Sequence, residues 1–141
     1  RLAEKRKGKL VEYHDDYFLF LGLLTWVIGF SFEVIADEQK RRFRSEPSNK
    51  DKFISHGLWS ISRHPNYFGE ILLWIGMTII AYPTLHGWQY LSLISPIFIY
   101  LLLTRMSGVN LLEQYAEKKW GGIEDFEEYK RKTSVLFPFI K

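Results

Sequence analysis

The 141-residue chain contains no cysteine. That removes a disulfide framework, a thiolate metal site and any thiol nucleophile, and leaves the compartment open. Histidine is sparse: His14, His56, His64 and His86 share no metal-ligand spacing, so no metal site is expected. The absence of a glycine-rich phosphate loop disfavours a soluble dinucleotide-binding fold, and no G-x-S-x-G elbow marks a serine hydrolase. Excess charge is small as well. Nineteen Lys plus Arg against 16 Asp plus Glu give a formal +3, and the basic residues do not alternate with rings as a base-stacking platform requires. Nucleic acid is therefore not an expected partner. No segment has the order of a cleavable signal peptide, and no internal repeat or low-complexity tract is visible.

The most informative absence is that of charge along one stretch. From Ile71 to Thr104, 34 consecutive residues include no Lys, Arg, Asp or Glu, whereas a single membrane-crossing helix needs only about 20. Pro83 and the pair His86-Gly87 sit near the middle, so the run predicts two helices, 65–82 and 88–104, joined by a tight turn. A separate run, Tyr17 to Ala36, carries one charge, Glu33, in twenty residues and follows the helix-capping pair Asp15-Asp16. Its helix is expected to continue in water until the turn residues Pro47-Ser48-Asn49. Residues 1–16 read as a polar connector or loop, and the stretch before Pro65 as a polar loop with a few interfacial anchors. Beyond Arg105, "MSGVNLLEQYAEKKWG" and "IEDFEEYKRK" predict two amphipathic helices before an apolar end.

The expected fold class is thus all-α: a membrane helical bundle with about three transmembrane helices plus amphipathic C-terminal helices, forming part of a larger bundle. Residues 17–141 make one membrane domain and 1–16 its connector. Eleven Phe, eight Tyr and five Trp suit a lipid setting, and the lipid bilayer is the first expected partner. Sidedness follows from positive charge: residues 37–64 carry seven Lys or Arg and the tail from Arg105 another seven, while the hairpin turn carries none. Loop and tail are expected on the cytoplasmic side. With three spans, residues 1–16 fall on the opposite side despite five basic residues, partly offset by four acidic ones.

Chemistry-bearing residues collect at the helix ends. Glu33, Asp37, Lys40 or Arg41, and Arg44 recur at helical spacing, placing two acids at the membrane edge followed by bases. An acid inside an apolar helix is costly and faces a bundle interior or wet cavity. Lys40, Arg41 and Arg42 read as interfacial anchors; Asp37 and Arg44 read as functional. In "SRHPNYFGE", residues 62–70, Pro65 suits the first helical position, and Asn66 and Glu70 fall one turn apart with Tyr67 beside them. Free N–H groups at this helix start, with Arg63 and His64 adjacent, would favour an anion; the alternative is that both residues cap or anchor the helix at the headgroup level. Glu70 needs a donor, for which a sugar hydroxyl, an amide or Arg105 could serve. Arg105 and Glu113 repeat the pattern at the other end of the hairpin. A ligand with an anionic end and a neutral, hydrogen-bonding end fits this gradient, as a nucleotide cofactor does.

"ADEQK" at 36–40, "GLWSISRHPNYFGEILLWIG" at 57–76 and the tail "LLEQYAEKKWG…DFEEYKRKTSVLFPFIK" resemble the C-terminal half of the steroid 5-alpha-reductase family, most closely its bacterial branch, and sterol C14 and delta-7 reductases look like relatives too. The resemblance covers about Tyr17 to Ile140. It implies an integral membrane oxidoreductase that transfers a hydride from NADPH to an activated C=C bond of a steroid-like or other lipophilic substrate, with this chain as the cofactor-binding half. It carries over Asp37, Arg44, Arg63, His64, Asn66, Tyr67, Glu70, Arg105 and Glu113 as cofactor-binding positions: Asn66 and Glu70 for the nicotinamide and ribose region, Arg105 for phosphate, and Glu113 near the adenosine side. Two positions depart from the family pattern. Glu33 stands where the steroid reductases have Asn, and Val109 and Glu113 stand where they have His and Tyr. The family's proton-donating tyrosine and its partner acid belong to helices upstream, so no catalytic residue is assigned and upstream helices of the full-length protein are expected partners. The implied location is the bacterial inner membrane, or the endoplasmic reticulum in a eukaryote, with the cofactor side cytoplasmic. A similar "RHP-x-Y" element in isoprenylcysteine carboxyl and phospholipid methyltransferases makes a membrane methyltransferase using S-adenosylmethionine the alternative. A non-enzymatic scaffold, its polar groups paired internally, is the third class.

Overall fold

The computed structural model describes the backbone of residues 2–106 and 108–140. Arg1, Ser107 and Lys141, which fall in the expected connector, amphipathic helix and apolar end, lie outside the described residues. Among the described residues five α-helices follow one another: α1 (Leu2–Ser45), α2 (Pro65–Ala81), α3 (Ile94–Leu101), α4 (Gly108–Trp120) and α5 (Glu124–Lys132). Short 3₁₀ turns and one π-helical turn, Leu102–Met106, join them. The all-α expectation holds.

Helix α1 is 44 residues long. The polar loop expected over residues 1–16 is instead helical from Leu2 onward: Ala, Leu, Glu, Lys and Arg dominate the stretch, no proline interrupts it, and these residue types extend a helix at little cost. The other end stops where expected. Arg42 and Arg44 occupy the last turn, favourable for the helix dipole, and Asn49 Nδ2 donates to the Phe43 carbonyl at 2.9 Å. Pro47 then opens a 3₁₀ turn.

Helices α1 and α2 form the main packing pair, antiparallel and in backbone contact. A Cβ placed on Gly29 would lie 2.6 Å from the Gly69 carbonyl oxygen, and one on Gly76 would lie 2.7 Å from the Gly22 carbonyl oxygen. Glycines seven residues apart on both helices therefore open a seam through which the main chains approach. Helix α2 has 17 residues, about 25 Å of rise, and the 3₁₀ turn Tyr82–Thr84 adds about 6 Å. The second arm of the hairpin is less regular than the uniform helix expected over 88–104. It runs as a 3₁₀ segment (Gly87–Leu93), then α3, then the π turn. Pro96 lacks an amide donor, so an α-helix can hold it only in the first turn, which is where α3 begins.

By length and composition two stretches can cross a membrane, Asp16–Ser45 and Gly87–Trp120. Their outward faces are apolar: Phe20, Leu23, Val27 and Val34 on α1, and Ile94, Ile97, Phe98 and Leu101 on α3, are exposed. Buried side chains gather at the polar end. Ala36, Ile54 and Trp59 make one cluster; Ile71, Val109 and Leu136 make another, with Tyr67 and Phe68 packed against it. The Trp59 indole N–H donates to the Ala36 carbonyl at 3.0 Å, fastening the α1–α2 loop onto α1.

The tail closes this end as a strap. Ser62 and Ser134 form an isolated parallel bridge, with Arg63 N–H donating to the Ser134 carbonyl at 2.8 Å. Ser62 Oγ donates to the Leu136 carbonyl at 2.7 Å, and Ser134 Oγ to the Ile61 carbonyl at 2.9 Å. Ser62 and Ser134 are buried polar residues that this pairing makes tolerable.

Candidate functional site

The antiparallel α1–α2 pair stacks the sequence's polar stripe into rungs. Deepest in the apolar zone, the Glu33 and Glu70 carboxyls come close together across the helix pair, and the Trp74 indole donates to Glu70 Oε1 at 3.0 Å. One turn toward water, Asn66 Nδ2 donates to Asp37 Oδ1 at 3.1 Å. Beyond that rung the helices open into a cleft of about 730 Å³, counting its solvent-facing mouth. Lys40, Arg44, Lys52 and Arg63 bring four cations to it, against the single carboxylate of Glu113.

Glu113 is already engaged. Its Oε2 accepts from Arg63 Nη1 at 2.9 Å, and its Oε1 lies 2.7 Å from His64 Nε2. This joins α4 to the start of α2 with side chains that are mostly shielded: 14% exposed for Arg63, 9% for His64 and 27% for Glu113. Among the described residues, the Arg63 Nε is nevertheless buried without a hydrogen-bond partner. The far wall is aromatic. Phe53 stacks on Tyr129 at 5.3 Å between centroids and meets Phe126 and Trp120 edge-on. Burial pushes the Tyr129 phenol above its usual range, and it remains the donor to the Trp59 carbonyl.

Of the residues singled out from sequence, Arg44, Arg63, His64 and Glu113 converge on the cleft. Asp37, Asn66 and Glu70 stand on the rungs leading into the apolar zone. The Tyr67 ring stacks on His64 at 6.0 Å. Arg105 does not join them: it is exposed on the π-helical turn, and its carbonyl accepts from Asn110 Nδ2 at 3.3 Å. The N–H groups at the start of α2, expected to be free for an anion, are partly spent. Arg63 N–H goes to Ser134, His64 N–H to Ser62 Oγ and Tyr67 N–H to Asn66 Oδ1. Positive charge reaches the cleft from side chains instead.

Two further readings are revised. Arg41 and Arg42 both pair with Glu38 on the exposed face, as anchors would, but Lys40 turns inward and its Nζ lies 4.9 Å above the Trp59 ring. Lys52, Phe53, Trp120, Phe126 and Tyr129 line the cleft without having been recognised as site residues. The signal that could have found the rings was the apolar face of the C-terminal helices; nothing local marks Lys52.

The donor set fits a nucleotide cofactor in part. Excess cationic charge, aromatic walls and an unmatched buried guanidinium N–H suit an anionic, ring-bearing ligand. The rungs nearer the apolar zone satisfy one another in this structure.

Comparison with known proteins supports a distant kinship. The chain is 39% identical to the very-long-chain enoyl-CoA reductase of Dictyostelium discoideum over 86% of its own length and 36% of that protein. It is 26% identical to the bovine (Bos taurus) 3-oxo-5-alpha-steroid 4-dehydrogenase 1 over 99% of its length and 50% of the relative. A probable O-methyltransferase, ustE of Ustilaginoidea virens, is 26% identical over 72% of the chain and 34% of that protein. The chain thus spans half or less of the length of these relatives. No solved structure matches. Residues 13–133, nearly the whole of the bundle and the cleft, match one family along its length, and the chain belongs to that family, described as a protein of unknown function (DUF1295).

Proposed function

We propose that this chain is the cofactor-holding half of an integral membrane reductase that uses NADPH to reduce an activated C=C bond in a steroid-like or other lipophilic substrate. The observation that carries the reading is the continuity of the polar stripe: the rungs Glu33–Glu70 and Asp37–Asn66 lead directly into the cationic cleft at Arg44 and Arg63. That gradient matches a molecule with a neutral amide end and a phosphate-bearing end. When bound, NADPH supplies the hydride. The protein's part is to orient and shield. Arg44, Arg63 and His64 hold the anionic portion, Asp37, Asn66 and Glu70 offer acceptors and an amide to the nicotinamide and ribose, and the apolar helices exclude water. Arg105 serves as a phosphate contact only if the ligand reaches the π turn. A proton for the other carbon of the double bond comes from helices outside this chain.

In this reading the protein is an integral membrane protein, of the bacterial inner membrane or the endoplasmic reticulum, with the cleft facing the cytoplasm. The resemblance of "RHPNYFGE" to the reductase motif and the names of the enoyl-CoA and steroid relatives support it. A methyltransferase using S-adenosylmethionine is the second reading, favoured by the similarity to the probable O-methyltransferase. Thermal unfolding of the detergent-solubilised chain with each cofactor separates them. At about 100 times its Kd, NADPH is expected to add about 2.7 kcal/mol, or several degrees in Tm. Asn66→Ala and Glu70→Ala are expected to reduce that shift. Stabilisation by S-adenosylmethionine alone would establish the methyltransferase, and stabilisation by neither would leave a scaffold.

A further inference from the structure

Glu113 stands on α4, and the two side chains it engages, Arg63 and His64, lie at the start of α2. Neither partner depends on it for its place. The Arg63 N–H is tied to the Ser134 carbonyl at 2.8 Å, the His64 N–H to Ser62 Oγ at 3.1 Å, and the His64 ring stacks on Tyr67. Helix α4 is held without the carboxylate as well. Val109, near its start, packs with Ile71 and Leu136. At its end Trp120 Nε1 donates to the Asp51 carbonyl at 2.8 Å, and Lys119 pairs with the Asp51 carboxylate at 3.3 Å. The position of α4 against α2 is thus fixed from both ends, and the contacts of Glu113 are not needed to set it. What they do is fill, with a negative charge from the chain itself, donors of a guanidinium and an imidazole that line a cleft suited to anions. Of the three side chains Glu113 is the most exposed, so it is the one with a route to water.

We infer that Glu113 is an internal competitor, a displaceable carboxylate that occupies Arg63 and His64 and leaves them when an anionic group of the ligand binds. The contact is autoinhibitory. It rests on the reductase reading, in which that group belongs to NADPH, and it takes Glu113 out of the cofactor contacts that the resemblance implies. The exchange is nearly even in bonds: two charge-assisted hydrogen bonds to a carboxylate give way to equivalent bonds to phosphate oxygens, and the released carboxylate returns to water. Because Arg63 and His64 keep their backbone bonds throughout, the pair stays preorganised while its counter-ion changes. The effect on binding follows from populations: a site open for about a tenth of the time binds about tenfold more weakly than one always open.

The test uses the full chain in phosphatidylcholine nanodiscs, titrated calorimetrically with NADPH and with inorganic pyrophosphate. Glu113→Gln keeps an acceptor for Arg63 but removes the charge. It is expected to bind both ligands about tenfold more tightly than the parent chain, even though its unfolding midpoint is lower. A purely structural residue gives the opposite pairing, lower stability with unchanged or weaker binding, and that result overturns the inference. Glu117→Gln controls for net charge, since Glu117 lies one turn farther along α4 and pairs with Lys130 instead. Its loss is expected to change either affinity by less than about twofold, and a gain equal to that of Glu113→Gln overturns the competitor. Should Glu113→Gln fail to fold, the parent chain answers by nuclear magnetic resonance of isotope-labelled histidine. The His64 ring signal is expected to move when pyrophosphate is added, and a bound anion that leaves it in place overturns the inference. The two readings fail separately. NADPH bound equally by parent and Glu113→Gln overturns the competitor and leaves the reductase reading intact. Tighter pyrophosphate binding by the variant, with NADPH bound by neither chain, upholds the competitor and overturns the reductase.

Discussion

Glu113 shows how a single carboxylate can decide the state of a site. It bonds both Arg63 and His64 from a different helix, so its removal strands a mostly buried guanidinium that already has one unmatched N–H. Glu113→Ala is expected to destabilise the chain by about 1–3 kcal/mol, read as a lowered midpoint in detergent unfolding. Glu113→Gln, which keeps an acceptor but not the charge, should cost less. The sequence made Arg63, His64 and Glu113 visible as chemistry-bearing residues, because polar groups beside long apolar runs stand out. It did not make visible that they bind each other, since nothing in the spacing of residues 63 and 113 fixes the register of α4 against α2. The inward turn of Lys40 is hidden in the sequence for a related reason. On α1 alone it is one of three consecutive bases, and only the packing of Trp59 turns it inward.

At the scale of elements, the two long helices were legible because they needed no tertiary information: length, absence of charge and the prolines gave α1's end and α2's start. The irregular second arm was not, since 3₁₀ and π segments share the composition of an α-helix and differ only in which carbonyl each amide reaches. The glycine seam carries the element-scale prediction. A Cβ on Gly69 would sit 2.5 Å from the Gly29 carbonyl oxygen and 2.7 Å from the Glu33 amide nitrogen, with backbone atoms that cannot turn aside. Gly69→Ala is therefore expected to push α1 and α2 apart, lower stability by about 1–3 kcal/mol and disturb the Asp37–Asn66 rung. Unfolding in detergent checks the first effect, and weakened NADPH binding by the folded fraction checks the second.

For the whole molecule, sidedness is the open consequence of the charge pattern, and the lack of cysteine makes it easy to measure. Single cysteines introduced at Ser48, Lys118 and Trp88 have no background to compete with. Trp88, in the hairpin turn, is 87% exposed. A membrane-impermeant thiol reagent applied from outside sealed cells is expected to label Trp88→Cys and to spare Ser48→Cys and Lys118→Cys until the membrane is opened. Labelling of all three from one side would contradict the arrangement of the hairpin. The overall architecture was largely readable from sequence, while the aromatic wall of the cleft was not. Phe53 lies far along the chain from Trp120, Phe126 and Tyr129 and meets them only because α5 folds back over the loop after α1.

The strap from Thr133 to Leu136 has a consequence for how the protein is made. Ser62 and its partner carbonyl are 74 positions apart, whereas α1 and α2 can pair once the hairpin's first arm is inserted. On the proposed reading, the growing chain carries both helices of the packing pair before the strap that closes the cleft has been made. A prematurely terminated chain should insert, persist and remain unable to take up ligand.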